Sequence, residues 1–361
     1  MHIIIGTLDY RTFGGDYGIH LLELNDKTGE LKIVQSRYDK MNPSFTVSSY
    51  GNNNIIYATS ERVHKGSVVT YRYKNNSNEL ALESVLTIPT GGCVHAALSP
   101  EGKYILLPST ESSLIYSCEL NSCGIAEKIA SVLKLPEGRS ILERQTHSMP
   151  HQVVFDKTGQ FIAAPDLGQD RIHIISFDGS NGSMGLLHSE EICPGAGPRH
   201  AVFHHNNEWL YLFNEFDNTV YVFDFDQNTG NVSRKQIIEL LPEDYLKNYK
   251  GPEIQGAEIR ISPDGRYVFA SVRGYLDSNG EDSIVRLSVN DQDGTLSEKT
   301  YFSCGGKCPR IFDFTPDGNY LICCNQLDNQ VVSFRYDNSS GYYYSKCGSI
   351  PIKEPAALTF V

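Results

Sequence analysis

The stretch AEIRISPDGRYVFASVR, residues 257–273, contains two short apolar runs on either side of the polar turn SPDG. Runs of this length, rich in Ile, Val, Tyr and Phe and bounded by Pro, Asp and Gly, are typical of two antiparallel strands joined by a tight turn. Five further stretches have the same plan, at residues 43–61, 94–110, 150–167, 198–215 and 309–326, and a truncated copy occupies residues 355–361. The chain therefore contains an internal repeat, which decides the fold.

The copies are spaced by about the length of four strands and their turns. The residues that open their first runs are Ser44, His95, His151, Arg199, Glu258, Arg310 and Ala356, at steps of 51, 56, 48, 59, 52 and 46 residues. Further polar turns occur at residues 26–29, 75–78, 121–124, 178–185, 226–230, 291–294 and 337–341. Both counts are seven. They predict an all-β fold, a seven-bladed β-propeller with four antiparallel strands per blade.

The truncated last copy predicts how the ring closes. The strand at residues 356–361 has no partner within its own copy, and the N-terminal runs at residues 2–7 and 18–24 lack an inner neighbour. Pairing the N- and C-terminal strands in one blade closes the ring and covers exposed edges. We therefore expect residues 1–361 to form a single domain, although the length alone suggests two. Two β-sandwich domains are the alternative, which leaves the two counts of seven unexplained.

Composition and charge limit the partners. The net charge of −12 repels nucleic-acid phosphates and anionic lipids, so neither nucleic acid nor membrane is expected as a general partner. The N-terminus shows no signal peptide or apolar span, so we expect a cytoplasmic protein, monomeric or weakly homo-oligomeric. The nine cysteines lack the spacing of a disulfide framework and are expected to be mostly reduced and buried.

One mouth of the predicted channel gathers charged side chains. In an antiparallel pair joined by a tight turn, the start of the first strand lies beside the end of the second. The two sets together place at one rim His95, His151, Arg199, Arg273, Arg310, Glu61, Glu215 and Glu258. Arginines and histidines that converge in an acidic chain predict a site for a small anion. The pairs Arg199–Glu215 and Glu258–Arg273 could equally be structural cross-strand ion pairs.

The two longest steps come from insertions at residues 134–149 and 240–256. Both insertions join an outer strand to the next inner strand, so we expect them at the same mouth, as walls or lids of the site. The first insertion carries Arg139, Glu143, Arg144 and His147. Phosphate-loop, serine-nucleophile and structural-zinc motifs are missing from the sequence, which predicts no cofactor and no metal.

Two pairs of segments resemble a known family. PHQVVF at residues 150–155 is followed by PDLGQDR at residues 165–171, and GAGPRHAVF at residues 195–203 by LYLFNE at residues 210–215. These segments resemble the seven-bladed lactonase family, which includes propeller-type 6-phosphogluconolactonases and the fungal carboxy-cis,cis-muconate lactonizing enzyme. The similarity extends over essentially the whole chain.

The resemblance implies an active site at the channel mouth. Its His, two Arg and Glu correspond here to His151, Arg199, Arg273 and Glu215. Members of the family often have a second His two residues before the first, where this chain has Met149, and the additional His lies four residues before, at His147. A role for a histidine pair is therefore not implied for this chain.

The reaction implied is metal-independent hydrolysis of a small anionic lactone such as 6-phosphogluconolactone. His151 would be the general base, Arg199 and Arg273 would bind the oxyanion and the anionic group, and Glu215 would orient Arg199 or the histidine. The expected substrate contacts are His95, Glu258, Arg310 and His147. Two alternatives stay open: a lactonizing cycloisomerase that adds a muconate-type carboxylate to a double bond, and a non-catalytic propeller that only binds a partner.

Overall fold

The computed structural model describes residues 1–9, 17–39, 41–49, 54–61, 64–242, 245, 254–276 and 280–361. These residues form 28 strands in seven four-stranded antiparallel sheets. The sheets are arranged in a ring, so the predicted seven-bladed β-propeller is confirmed. No helix of the described residues is long and apolar enough to cross a membrane.

In chain order the strands are β1 (His2–Thr7), β2 (Ile19–Leu24), β3 (Leu31–Arg37), β4 (Pro43–Ser48), β5 (Ile55–Ser60), β6 (Gly66–Lys74), β7 (Glu79–Ile88), β8 (Ala97–Leu98), β9 (Tyr104–Ser109), β10 (Leu114–Leu120), β11 (Ala126–Lys134), β12 (Val154–Phe155), β13 (Phe161–Asp166), β14 (Arg171–Asp178), β15 (Ser183–Glu191), β16 (Pro198–Phe203), β17 (Trp209–Asn214), β18 (Thr219–Phe225), β19 (Val232–Glu239), β20 (Gln255–Ile261), β21 (Tyr267–Leu276), β22 (Asp282–Val289), β23 (Leu296–Ser303), β24 (Pro309–Phe314), β25 (Tyr320–Asn325), β26 (Gln330–Asp337), β27 (Tyr342–Pro351) and β28 (Pro355–Phe360). Blade 1 consists of β28, β1, β2 and β3, and blades 2 to 7 each take the next four strands in order, beginning with β4. The first-named strand of each blade is the innermost.

Blade 1 joins the two ends of the chain. β28 pairs antiparallel with β1, with Ile4 opposite Thr359 and Ile5 opposite Leu358. β28 also packs against β4 and β24, the innermost strands of the two neighbouring blades. The predicted closure of the ring by N- and C-terminal strands in one blade is confirmed.

Burial changes from the second strand of a blade to its outer edge. The second strands, such as β9 and β13, are buried along their whole length because both faces pack against neighbouring blades. The outermost strands, such as β11, expose many of their residues and carry Lys and Glu on their open edge, which discourages edge pairing. All nine cysteines are free and six are buried, as predicted.

A repeated contact between a glycine and an apolar side chain, most often an aromatic ring, locks neighbouring blades together. Gly294 lies in the polar turn of blade 6 with φ +73°, and a Cβ there would lie 2.2 Å from the ring of Trp209 in blade 5. Gly341 faces Tyr267 in the same way across blades 7 and 6. Six of the seven polar turns identified in the sequence thus do more than connect the two outer strands, since their glycines let adjacent blades approach closely.

The innermost strands of five blades, blades 1, 2, 5, 6 and 7, have a β-bulge at the same end. In blade 5, Pro198 pairs with Asn214. The next pair joins His200 to Phe213, which leaves Arg199 as an extra residue. The extra residues at the same point of blades 2, 7 and 1 are Ser44, Arg310 and Ala356. A bulge re-aims the side chains of its strand, and here it directs the rim positions toward the channel.

His95 does not occupy this bulge position, contrary to the sequence alignment. In blade 5 the residue after the second strand donates its N–H to the carbonyl two residues before Arg199. In blade 3, Thr110 donates to the carbonyl of Gly92 in the same way. The equivalent of Arg199 is therefore Val94, and His95 lies one residue further along.

Glu258 is displaced in the same direction. In blade 6 the register shifts directly after Gly256, so that Ala257 is the bulge residue and Glu258, like the histidine of blade 3, is equivalent to His200. The sequence alignment was one residue out in these two blades because the proline that marks the bulge is missing. Five copies have a proline directly before the bulge residue, whereas blades 3 and 6 have Cys93 and Gly256 there.

Gly294→Ala is expected to destabilise the protein more than the control Gly102→Ala. Both glycines have positive φ, +73° and +67°, so alanine strains either backbone by about 1–2 kcal/mol. At Gly102 a Cβ would meet nothing within 4 Å, whereas at Gly294 it would overlap Trp209. Overpacking should add about 1–3 kcal/mol to the loss for Gly294→Ala. Urea unfolding followed by circular dichroism measures both, and equal losses would contradict the locking contact.

Candidate active site

All seven blades contribute to a small pocket on the channel axis. The lining residues come from the bulges and the positions that follow them: Ser44, Phe45, Val94, His151, Arg199, His200, Glu258, Arg310, Ile311 and Ala356. The volume open to the centre of a water molecule is about 10 Å³, room for roughly one water.

The Glu215 carboxylate bridges two arginines beside this pocket. Its Oε2 lies 2.9 Å from Nε of Arg199, and its Oε1 lies 3.2 Å from Nη2 of Arg273. Each guanidinium also donates to a backbone carbonyl at 2.5 Å, Arg199 to Ala257 and Arg273 to Gly256. Both cations are therefore fixed before any substrate arrives, with side chains only 4% and 15% exposed.

The cluster favours an additional anion. Burial disfavours the charged carboxylate of Glu215, but Arg273 and Arg199, with Arg310 and Arg144 behind them, outweigh burial and hold its pKa below the usual value. Burial lowers the pKa of Arg199 to about 10, which leaves it charged at neutral pH. Four arginines near one carboxylate leave an excess of positive charge, which is the chemistry that favours a phosphate or carboxylate group.

Three histidines from blades 3, 4 and 5 meet next to the arginines. The ring of His200 lies 5.1 Å from that of His151 and 5.6 Å from that of His95, between centroids. Burial, together with the neighbouring arginines, lowers the pKa of each well below the ordinary value, so all three are neutral at neutral pH. Nδ1 of His151 is buried without a hydrogen-bond partner among the described residues. As a neutral imidazole, His151 keeps one ring nitrogen without a proton.

A second ionic group includes residues that the sequence analysis did not single out. Oε1 of Glu258 lies 3.0 Å from Nδ1 of His200 and 2.9 Å from Nη1 of Arg260. Nε of Arg260 lies 3.3 Å from the Asp313 carboxylate. Glu258 thus pairs with Arg260, while Arg273 pairs with Glu215. The sequence contained a signal, because Arg260 and Asp313 stand at a repeat position that is Val, Ala or Thr in the other copies.

The first insertion, residues 134–149, is a fixed wall. Gln145 is fully buried, and its amide donates to Leu167 O at 2.9 Å and to the Asp170 carboxylate at 2.8 Å. Asp170 also accepts the N–H groups of Gly195 and Gly197, both at 2.6 Å, in the turn before Arg199. One carboxylate therefore ties the wall to the segment that presents a catalytic candidate.

The wall places Arg144 close to Glu215 and joins His147 to blade 3. The Arg144 guanidinium carbon lies 3.6 Å from the ring centre of Phe216, the residue after Glu215. His147 contacts Thr110 O through Nε2 at 2.9 Å, and Arg139 and Glu143 are exposed. Of the second insertion, residues 240–256, residues 243–244 and 246–253 lie outside the described residues.

The fold is a seven-bladed β-propeller, and the described residues place a cluster of arginines, histidines and carboxylates around one small pocket on its axis. The family model described as "Lactonase, 7-bladed beta-propeller" matches residues 2–360. The chain belongs to this family and is a lactonase, an enzyme that hydrolyses lactones, which speaks against a non-catalytic propeller. The resemblance noted in the sequence is confirmed.

Individual relatives agree over the whole length. The 6-phosphogluconolactonase of Bacillus subtilis (strain 168) is 26% identical over 357 residues, 99% of this chain and 98% of the relative. The 6-phosphogluconolactonase of Formosa agariphila is 28% identical over 334 residues, 90% of each chain. The structure of the Pseudomonas aeruginosa periplasmic gluconolactonase PpgL matches the fold with a TM-score of 0.87, covering 100% of this chain and 98% of that one at 23% identity.

The free energy of unfolding is expected to fall as the pH drops below about 6.5, the ordinary pKa of histidine. The folded protein keeps His95, His151 and His200 neutral, whereas the unfolded chain takes up protons in that range. Above it, both states are neutral and the effect vanishes. Urea unfolding on both sides of this pH measures the slope.

His95→Gln should reduce this slope by up to one proton, about 1.4 kcal/mol per pH unit. His64→Gln is the matched control, because the His64 side chain is 91% exposed. A stability that does not change on acidification, or equal slopes in both variants, would contradict the burial of neutral histidines.

Proposed function

We propose that this chain hydrolyses a phosphorylated sugar lactone, 6-phosphogluconolactone or a close relative, at the mouth of the channel. The observation that carries the proposal is the carboxylate of Glu215 between Arg199 and Arg273, beside the neutral imidazole of His151. The two relatives named 6-phosphogluconolactonase support this choice of lactone. The reaction draws on side chains of one domain, residues 1–361, without metal or cofactor.

His151 is the general base in this proposal. Its neutral nitrogen takes a proton from a water in the small pocket, and the water oxygen attacks the lactone carbonyl carbon. The carbonyl oxygen becomes an oxyanion, which Arg199 and Arg273 stabilise. Glu215 keeps both guanidinium groups in place, so they need not reorganise as the charge develops.

The remaining candidates divide by position. Arg310 lines the pocket and, with Arg144 on the wall, provides cations for the phosphate of the substrate. Glu258 contacts the substrate from the pocket and also holds His200, and His95 packs on Phe45 at 3.9 Å between ring centres. His147 holds the wall against blade 3 through its contact with Thr110 O.

His151→Gln is expected to lower kcat/KM for 6-phosphogluconolactone by about 100-fold or more, the usual contribution of a general base. Arg199→Lys should lose a similar factor, because lysine keeps the charge but not the bidentate geometry. The matched control is His204→Gln, since His204 directly follows β16 at the end opposite Arg199 and contacts Gly265 O in the β20–β21 turn. A spectrophotometric assay corrected for spontaneous hydrolysis measures the rates. Activity on a muconate-type carboxylate instead of the lactone would overturn the proposed reaction.

Arg144→Gln is expected to raise KM for 6-phosphogluconolactone about tenfold and to leave KM for unphosphorylated gluconolactone unchanged. A lost charged hydrogen bond is worth about 1.5–3 kcal/mol, and only the phosphorylated substrate would lose it. Arg234→Gln is the control, an exposed arginine stacked 5.9 Å from the ring centre of Tyr221 on an outer strand. Equal changes for both lactones would remove Arg144 from phosphate recognition.

A further inference from the structure

Glu61 and Glu215 occupy the same position of the repeat, in blades 2 and 5. Each directly follows the last residue of its second strand, β5 or β17. The backbone N–H of Glu61 donates to Asn42 O and that of Glu215 to Gly197 O, both two residues before a bulge. The fold therefore presents two carboxyl groups to the same mouth in the same way.

Their surroundings differ at one point. The bulge residue beside Glu215 is Arg199, which forms an ion pair with it, whereas the bulge residue beside Glu61 is Ser44. Ser44 donates a hydrogen bond to the Glu61 carboxyl group. The other carboxyl oxygen, Oε2, is buried without a hydrogen-bond partner among the described residues. A buried oxygen without a partner costs more free energy on a charged carboxylate than on a neutral carboxyl group.

The charged and titratable groups that face Glu61 come from several elements. Burial is the strongest influence and raises its pKa, Arg310 and Arg199 act in the opposite direction, and Glu111 adds to the rise. The thiol of Cys93 also faces it, and burial raises the pKa of this thiol to about 12, so it stays neutral. The pKa of Glu61 ends above its usual value and that of Glu215 below. Surroundings that separate the pKa values of two carboxyl groups are typical of sites in which one group donates a proton and the other stays charged.

We propose that Glu61 is the general acid that protonates the leaving ring oxygen of the lactone, an inference that rests on the proposed lactone hydrolysis. Ser44 and Arg310, the neighbours of Glu61, both line the small pocket. Glu61 belongs to blade 2, across the channel from the oxyanion site of blades 5 and 6. A lactone held between these sides presents its carbonyl oxygen to the arginines and its ring oxygen to Glu61.

The protons balance over one turnover. Water attacks the carbonyl carbon and gives a proton to His151. The tetrahedral intermediate then breaks its bond to the ring oxygen, which keeps the electron pair and takes the proton of Glu61. Protonated His151 releases its proton to solvent and the Glu61 carboxylate takes one up, so lactone and water give the hydroxy acid.

The test is the pH dependence of kcat in Glu61→Gln. A general acid is active only while protonated, so the wild-type rate should fall at alkaline pH, after correction for spontaneous hydrolysis. Glu61→Gln should lower kcat by about 100-fold and abolish this alkaline limb. Glu111→Gln removes a neighbouring negative charge, so it should keep the rate and the limb and move the limb only slightly to lower pH. Glu61→Asp should recover part of the rate together with the limb.

Ser44→Ala provides a test of opposite sign. Its hydroxyl stabilises the charged carboxylate, so its loss should move the alkaline limb to higher pH. A limb that persists in Glu61→Gln, or does not move in Ser44→Ala, would overturn the assignment while lactone hydrolysis itself stands.

If the wild-type protein hydrolyses no lactone, the proposed function fails by itself. Infrared difference spectra between wild type and Glu61→Gln at neutral pH then still decide the state of the residue. A protonated carboxyl band that is absent from the variant supports a stored proton, and a carboxylate band refutes it.

Discussion

The pairing of β28 with β1 is the constraint on which the rest of the structure depends. Without it the innermost strand of blade 1 would be missing, and β4 and β24 would each lose a packed neighbour. Closure also shapes the site, because β28 brings Ala356 to the pocket between Ser44 and Arg310. Ala356 and Ser44 are both small, so no bulky side chain separates Arg310 from Glu61, and the positive charge of Arg310 lowers the pKa of Glu61.

At the bulge, the backbone hydrogen bonds maintain the fold, while the side chain of the extra residue can vary from blade to blade. The backbone of each innermost strand forms its hydrogen bonds on both sides of the extra residue, so the fold does not prescribe that side chain. Equivalent bulge positions can then hold Arg199 in blade 5 and Ser44 in blade 2 with the same strand register. The contrast between Glu215 and Glu61 follows directly, since one faces a guanidinium group and the other a hydroxyl group.

Much of this molecule could be predicted from the sequence, because glycines and prolines mark the turns and strand starts of each repeat. Turn glycines and prolines gave the blades, and strand ends gave Arg199, Glu215 and Arg273 at one mouth. Contacts across the channel could not be predicted in this way. Glu258 pairs with Arg260, two residues further along the same strand, and the repeat pattern does not show how far that side chain reaches. The sequence alignment was also one residue out where no proline precedes the bulge, as in blade 6.

The chain has a net charge of −12, yet Arg199 and Arg273 stay side by side at the mouth because the fold fixes both guanidinium groups. Buried ion pairs gain little stability, since desolvation offsets most of their attraction. The value of the Arg199–Glu215–Arg273 group therefore lies in geometry: one carboxylate and two backbone carbonyls fix both guanidinium groups. The carboxylate neutralises only one of the two positive charges. The unbalanced charge is thus fixed when the chain folds, and in the proposed reaction it would stabilise the developing oxyanion without further reorganisation.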